Sequence, residues 1–196
     1  MNQILKQKTL KQFNGNWSQA IIIALPTLLV FFLGSVPMIP YLVLSTFTLV
    51  GMSYAYLIWF RSDRTPATPL QSSVTEIFST PNAFGPFLVA LLTEVFATFW
   101  SLLFLVPGII KALAYSQAIF IYKDEVTAGN DNPGFRDCIT KSREMMNGHK
   151  GELFMLKLSF IGWFILSMFT AGIGLIWLIP YYYGTMVNYY ERLRTN

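Results

Sequence analysis

Six long apolar segments account for most of this 196-residue sequence. Crossing the hydrocarbon core of a bilayer takes about 20 helical residues, with about 17 as the practical minimum. A backbone in lipid must also satisfy its own hydrogen bonds, and long runs without strand-like alternation do so as helices. The sequence therefore predicts an all-α membrane bundle of six transmembrane helices, arranged as three hairpins. The segments are residues 19–35, 39–60, 86–106, 108–122, 153–171 and 174–190.

Composition favours lipid over water as the solvent of this chain. Hydrophobic residues make up 54% of it and charged residues only 12%, whereas a soluble domain has about 25% charged residues. No small-residue cleavage site follows the first apolar segment, so we expect a retained span rather than a signal peptide. At this length a single domain over residues 1–196 is expected.

Residue usage also indicates which classes of partner and cofactor are expected. The basic residues lie beside apolar segments and form no stripe for nucleic acid, so membrane lipids are the expected partners. Cys138 is the only cysteine and His149 the only histidine. An internal disulfide is therefore excluded, and no metal site or other cofactor is expected.

The distribution of basic residues predicts the topology. With six spans, twelve of the 14 Lys and Arg residues fall on one side of the membrane. The opposite connections, near residues 35–37, 107–108 and 171–174, carry no charge. The positive-inside rule then places both termini and both long loops in the cytoplasm. The last turn has two possible positions, at residues 171–174 or as late as 178–180.

A recurring pattern suggests an internal triplication. Breaks at Gly15, Pro81 and Gly148 lie 66 and 67 residues apart, and each precedes a span. The second helix of each hairpin is entered through a proline, namely Pro40, Pro107 and Pro180. We predict repeat-like units at about residues 1–64, 65–131 and 132–196. The alternative is that Pro turns and aromatic belts recur because of membrane physics alone.

The stretch before each break is predicted to be an amphipathic helix at the cytoplasmic face. In residues 135–146 one face carries Phe135, Cys138, Ile139, Met145 and Met146, and the other face is charged. Such a helix suits the headgroup layer. The alternative is a connector helix packed on the bundle. The expected lipid contacts are Arg136, Lys141, Arg143, His149 and Lys150.

Three ionisable residues fall inside predicted spans: Glu94, Lys111 and Lys157. An intramembrane charge is a functional hypothesis by default, so these residues form a candidate polar site for a headgroup, a peptide or a proton. Glu94 and Lys157 enter from the same side and are a geometrically possible pair. The alternative is structural, with the lysines extending to the interface and the glutamate paired or protonated in the bundle.

Several longer motifs resemble a known family. They are Trp100–Ser116, Lys141–Phe154, Leu158–Trp163, Gly172–Tyr182 and, at the N-terminus, Leu5–Trp17. Together they resemble the bacterial integral membrane family catalogued as domain of unknown function 975, over nearly the whole chain. The resemblance implies a multi-pass protein of the bacterial cytoplasmic membrane without an assigned activity. That family is distantly similar to the membrane region of some glycerophosphodiester phosphodiesterases. This membrane region does not contain the hydrolase, so the similarity implies no enzyme here.

Function is therefore limited to a few classes. We expect a membrane accessory or binding protein acting on lipid, a hydrophobic peptide or a partner complex. The alternative is a small transporter or exporter component, which Pro-interrupted helices and an intramembrane Glu would suit. An intramembrane enzyme is not expected, because no paired acids, Ser–Lys dyad or metal-ligand set converge at one depth.

Overall fold

Where the backbone is described, it consists of α-helices joined by turns and short loops, without a β-strand. The computed structural model describes residues 2–32, 38–62, 66, 68–76, 78, 84–103, 105–170 and 172–195. Over these ranges the chain forms α1 (Asn2–Phe13), α2 (Trp17–Phe32), α3 (Met38–Ser62), α4 (Pro69–Thr75), α5 (Phe84–Leu103), α6 (Leu105–Tyr115), α7 (Ala118–Thr127), α8 (Phe135–Met145), α9 (Lys150–Phe169) and α10 (Leu175–Thr195). The all-α class predicted from the sequence is confirmed.

Two stretches of the described chain are long and apolar enough to cross a membrane. They are Val43–Ser62 within α3 and Lys150–Phe169, which is α9. Two shorter apolar stretches, Trp17–Val30 and Phe84–Thr98, lie in α2 and α5. Length and composition thus support membrane helices at two places, and the six-span topology stays a prediction.

The fourth predicted segment differs from the expectation of one helix over residues 108–122. It is divided into α6 and α7 by a turn at Ser116 and Gln117. The Ser116 hydroxyl donates to the Leu113 carbonyl at 2.8 Å. The backbone N–H of Gln117 instead donates to the Ser142 hydroxyl of α8 at 3.2 Å.

The chain divides into two compact units. The first contains residues 1–76 and 156–196, and the second contains residues 77–155. The boundary at residues 155 and 156 lies inside α9, so that helix contributes to both units. The prediction of three repeat-like units in one domain is not tested by this division.

In the first unit, a polar seam fastens α1 to α10. The Asn188 side-chain amide of α10 donates to the Thr9 hydroxyl at 3.0 Å and to the Gln12 side-chain carbonyl at 2.7 Å. Thr9 and Asn188 are both buried, so these bonds satisfy polar atoms that water does not reach. Gly184 allows the close approach, because a Cβ there would lie 2.8 Å from Thr9 and 2.9 Å from Phe13.

An aromatic cluster completes the contact of α1 with α3. Phe13 is fully buried, and its ring centroid lies 5.2–5.8 Å from those of Trp17, Tyr56, Trp59 and Phe60. The Tyr56 hydroxyl donates to the Ala20 carbonyl of α2 at 2.6 Å. These contacts hold α1, α2 and α3 together at the end of α3 where Arg61 pairs with Glu191.

In the second unit, α8 packs on α5, α6 and α7. Its buried residues include Cys138, Ile139 and Ser142, and Met146 immediately after the helix is also buried. Much of the apolar face predicted for α8 thus contacts protein, although Phe135 is exposed. The position of this helix in the headgroup layer stays a prediction. The buried Ser142 hydroxyl also donates to the Ala114 carbonyl at 2.8 Å, so it bridges both sides of the α6–α7 turn.

The chain passes from α1 to α2 and from α8 to α9 through the same turn. Gly15 and Gly148 have positive φ angles of 77° and 82°, and the residue after each donates its N–H to the carbonyl three positions back. The buried positions also correspond at a constant separation of 133 residues, pairing 5 with 138, 9 with 142 and 13 with 146. The third predicted break, Pro81, lies outside the described residues, so the triplication stays a prediction.

The turn of the last hairpin takes the earlier of its two predicted positions. Residues 172–174 form the turn, Gly172 has a φ of 84°, and α10 begins at Leu175. Pro180 consequently lies inside α10 rather than at its start. Gly174 is required by close approach, because a Cβ there would lie 2.6 Å from the Ser167 hydroxyl.

Candidate functional site

A cavity of about 420 Å³ lies within the first unit, between α2, α3, α9 and α10. Ligand pockets in proteins are typically about 300–1,000 Å³ and mostly apolar, with a few polar groups that orient the ligand. This cavity has that size and character. Its lining residues are Thr27, Val30, Ser45, Leu49, Lys157, Ile161, Phe164, Ile179, Tyr182 and Tyr183.

The α9 wall of the cavity combines a charge with apolar side chains. Lys157, Ile161 and Phe164 are four and three residues apart, a spacing that places them on one helix face. Lys157 is half-buried. Lys157 is also the one charged residue among the described residues that line the cavity.

The α10 wall is held in place by neighbouring rings. Tyr182 has T-shaped contacts with Phe160 at 5.3 Å, Phe164 at 5.9 Å and Tyr183 at 5.3 Å between centroids. Lys6 of α1 lies over the Phe160 ring at 3.9 Å and donates to the Ser159 carbonyl at 3.3 Å. Partial burial lowers the pKa of Lys6. The N-terminal helix α1 thus contacts Phe160 of α9, the residue that packs against Tyr182.

Two helices of the cavity contain an internal proline beside a lining residue. Pro26 lies within α2 next to Thr27, and Pro180 lies within α10 next to Ile179. Each proline lacks an N–H and removes one helical hydrogen bond. The Thr27 hydroxyl oxygen is buried and has no hydrogen-bond partner among the described residues. The α2 wall therefore contains one buried hydroxyl that is not used within the described residues.

A family model described as a protein of unknown function (DUF975) matches residues 2–196. The chain belongs to this family. No curated protein matches the chain, and no solved structure matches it.

The predicted intramembrane residues of the DUF975 chain are distributed over both units. Lys157 lines the cavity of the first unit. Glu94, on α5, and Lys111, on α6, belong to the second unit, where Glu94 is exposed and Lys111 half-buried. The pairing of Glu94 with Lys157 stays a prediction.

The residues predicted to contact lipid lie on and just after α8. Arg136 and Arg143 are exposed. Lys141 is exposed and forms an ion pair with Glu125 of α7, a contact that lowers the pKa of Glu125 and raises that of Lys141. His149 Nδ1 lies 3.4 Å from a Glu152 carboxylate oxygen, and Lys150 is half-buried.

The described residues contain no cluster of three or more His, Cys, Asp and Glu side chains that could hold a metal ion. A second cavity of about 310 Å³, also in the first unit, has Trp17, Trp163, Trp177 and Tyr181 among its walls. Its described lining residues carry no charge.

Lys157 was singled out from the sequence, but the other polar residues of the cavity were not. They are Thr27, Ser45, Tyr182 and Tyr183. The available signal was the pair of prolines inside apolar segments, because such interruptions in membrane helices often accompany binding sites.

Proposed function

We propose that this DUF975 protein is an integral protein of the bacterial cytoplasmic membrane that binds an amphiphilic molecule in the cavity between α2, α3, α9 and α10. It acts as a binding or accessory protein rather than as an enzyme. The observation that supports this proposal most strongly is the largely apolar cavity with Lys157 in its wall.

A membrane location is supported by the apolar surface of α9. Exposed side chains on this helix include Trp163, Ile165, Met168 and Phe169, and the last two are 78% and 83% exposed. In water, such a surface would mark an interaction site or an aggregation risk. In a bilayer it faces acyl chains, which are as apolar as the side chains themselves.

The proposed topology has six spans with both termini in the cytoplasm. It is supported by the basic residues of the predicted cytoplasmic loops and by the uncharged turn at residues 172–174. In this topology the α6–α7 turn belongs to the fourth span, where Ser142 satisfies the freed backbone groups.

Cysteine accessibility tests the topology. In a Cys138→Ser background, Ile173→Cys probes the last turn and Asn130→Cys probes the loop between α7 and α8; both native residues are exposed. A membrane-impermeant maleimide applied to intact cells should label the Ile173→Cys protein, and should label the Asn130→Cys protein only after permeabilisation. Labelling at position 130 in intact cells would overturn the topology.

The binding proposal is tested by filling the cavity. Ile161 and Ile165 lie one turn apart on α9 with similar exposure, 48% and 51%, but only Ile161 lines the cavity. Ile161→Trp should abolish co-purification of a bound amphiphile in native mass spectrometry, and Ile165→Trp should leave it intact. Equal retention of ligand by both variants, or no ligand on the wild-type protein in any lipid, would refute the proposal.

A transporter is the second candidate function. Pro26 and Pro180, in two of the helices that line the cavity, favour it, because interrupted helices line the substrate sites of many transporters. Flux in sealed vesicles separates the two candidates. Ligand binding without flux supports the accessory role, and flux that Ile161→Trp abolishes supports transport.

A further inference from the structure

The charge of the cavity in the first unit is located at one point of its wall. Lys157 is followed along the same face of α9 by Ile161 and Phe164, and the facing walls contribute Val30, Leu49 and Ile179. Among the described lining residues, a ligand that fills this space therefore meets one cation, four hydroxyl-bearing residues and an otherwise apolar wall. That division is the signature of a molecule with a single head and a hydrocarbon body.

The positive charge of Lys157 determines which kind of head group the ligand carries. An ammonium group in surroundings of low dielectric constant attracts an anion more strongly than it does in water. A carboxylate or a phosphate also accepts charge-assisted hydrogen bonds from Lys, whereas a quaternary ammonium head is repelled. Rotation of Thr27 about χ1 would let its unpartnered hydroxyl serve as a further donor to such a head.

The size and polarity of the cavity indicate what kind of hydrophobic part the ligand has. A volume of about 420 Å³ lies near the lower end of the range for drug-sized ligands. A single acyl chain with a small head can occupy this volume, whereas the second chain of a two-chain phospholipid would lie outside it. A peptide would bring backbone N–H and C=O groups that the mostly apolar walls could not satisfy.

We propose that the cavity lined by Lys157 binds a single-chain anionic amphiphile, with its carboxylate or phosphate head at Lys157 and its chain against Ile161, Phe164 and Leu49. This inference rests on the proposed function and specifies its ligand class. The shared chemistry is one acyl chain with an anionic head, which a free fatty acid or a lysophospholipid can supply.

The test compares head groups on the same chain length. The full-length protein in nanodiscs of zwitterionic lipid is titrated with a long-chain fatty acid, the corresponding alcohol and a lysophosphatidic acid, and binding is measured by calorimetry. At least one anionic probe should bind about tenfold or more tightly than the alcohol, because a hydrogen bond to a charged group is lost with the alcohol. The tighter anionic probe identifies carboxylate or phosphate as the preferred head.

The variants assign this preference to one side chain. Lys157→Met should reduce the preference for the anionic head to less than about twofold while alcohol binding stays unchanged. Lys157→Arg, which keeps the charge, should retain the preference. Lys111→Met is the matched control, because Lys111 is a half-buried lysine of a predicted span that does not line this cavity.

Failure of the inference is distinguishable from failure of the proposed function. Equal binding of acid, lysophosphatidic acid and alcohol would overturn the charge assignment, as would an anionic preference that survives in Lys157→Met. In both cases, binding that Ile161→Trp abolishes would leave the proposed function standing. No saturable binding of any probe would overturn both.

Discussion

Ser142 is expected to be one of the most sensitive polar positions in the second unit. Its hydroxyl accepts from the Gln117 N–H at 3.2 Å and donates to the Ala114 carbonyl at 2.8 Å, and all three residues are at most 2% exposed. Ser142→Ala leaves both backbone groups buried without this partner, at about 1–2 kcal/mol each. The higher helix propensity of Ala offsets about 0.5 kcal/mol. The net loss of unfolding free energy should be about 2–3 kcal/mol.

The assay is reversible unfolding in mixed micelles of increasing sodium dodecyl sulfate fraction, followed by far-ultraviolet circular dichroism. Ser159→Ala is the matched control, because the exposed Ser159 donates only to the Leu156 carbonyl of its own helix, and its loss should cost less than about 0.5 kcal/mol. A Ser142→Ala protein as stable as the Ser159→Ala protein would refute the role of Ser142 as the bridge across the α6–α7 turn.

Three further predictions concern α1, α7 and α8. Asn188→Leu removes both hydrogen bonds to α1 and leaves the buried Thr9 hydroxyl without its donor. The unfolding free energy should therefore fall by about 1–3 kcal/mol, and limited proteolysis after α1 should accelerate. The pKa of Glu125 is lowered by its hydrogen bond from Lys141, so this ion pair stabilises the fold above the ordinary Glu pKa and the stabilisation disappears as pH falls through the lowered value. Glu125→Gln should therefore flatten the acid limb of a stability–pH profile, by less than about 1 kcal/mol because the pair is exposed. Burial raises the pKa of the Cys138 thiol to about 11 from 9.0, which reduces its thiolate fraction about 100-fold at neutral pH. Maleimide labelling of Cys138, followed by mass spectrometry, should therefore be slow until detergent unfolds the chain.

Local signals in the sequence predicted much of the helical framework. Glycine at positions 15 and 148 marked turns because each needs a left-handed backbone, and both have positive φ angles. Pro107 was expected at the entry of a helix and lies in the first turn of α6. These features depend on neighbouring residues only, so a single sequence contains them.

The features that the sequence did not predict depend on distant residues. The break between α6 and α7 is stabilised by Ser142, 25 positions after Gln117 and on another helix. The seam between α1 and α10 joins Thr9 to Asn188 across 179 positions. In both cases one polar residue looks ordinary until its partner is known, because hydropathy and periodicity carry no information on which helices meet.

The candidate site was only partly predictable for the same reason. Lys157 was recognisable, because a charge within an apolar segment is unusual wherever it lies. The cavity around it is built by four helices, and Thr27 and Tyr182 belong to segments whose composition is that of an ordinary span. The depth of an intramembrane charge can be counted along one helix, but the volume beside it is a property of the packed bundle.

Photo-crosslinking in native membranes tests most directly whether this cavity is a ligand site. A benzophenone-bearing residue replaces Ile161, which lines the cavity, or Ile165, which does not. If the cavity is a ligand site, the amphiphile adduct at position 161 should saturate and should fall with excess unlabelled fatty acid or lysophosphatidic acid. Adducts at position 165 should follow bulk lipid and resist competition. The same non-competable lipid adducts at both positions would show that Ile161 faces ordinary bilayer, and would contradict a ligand site in this cavity.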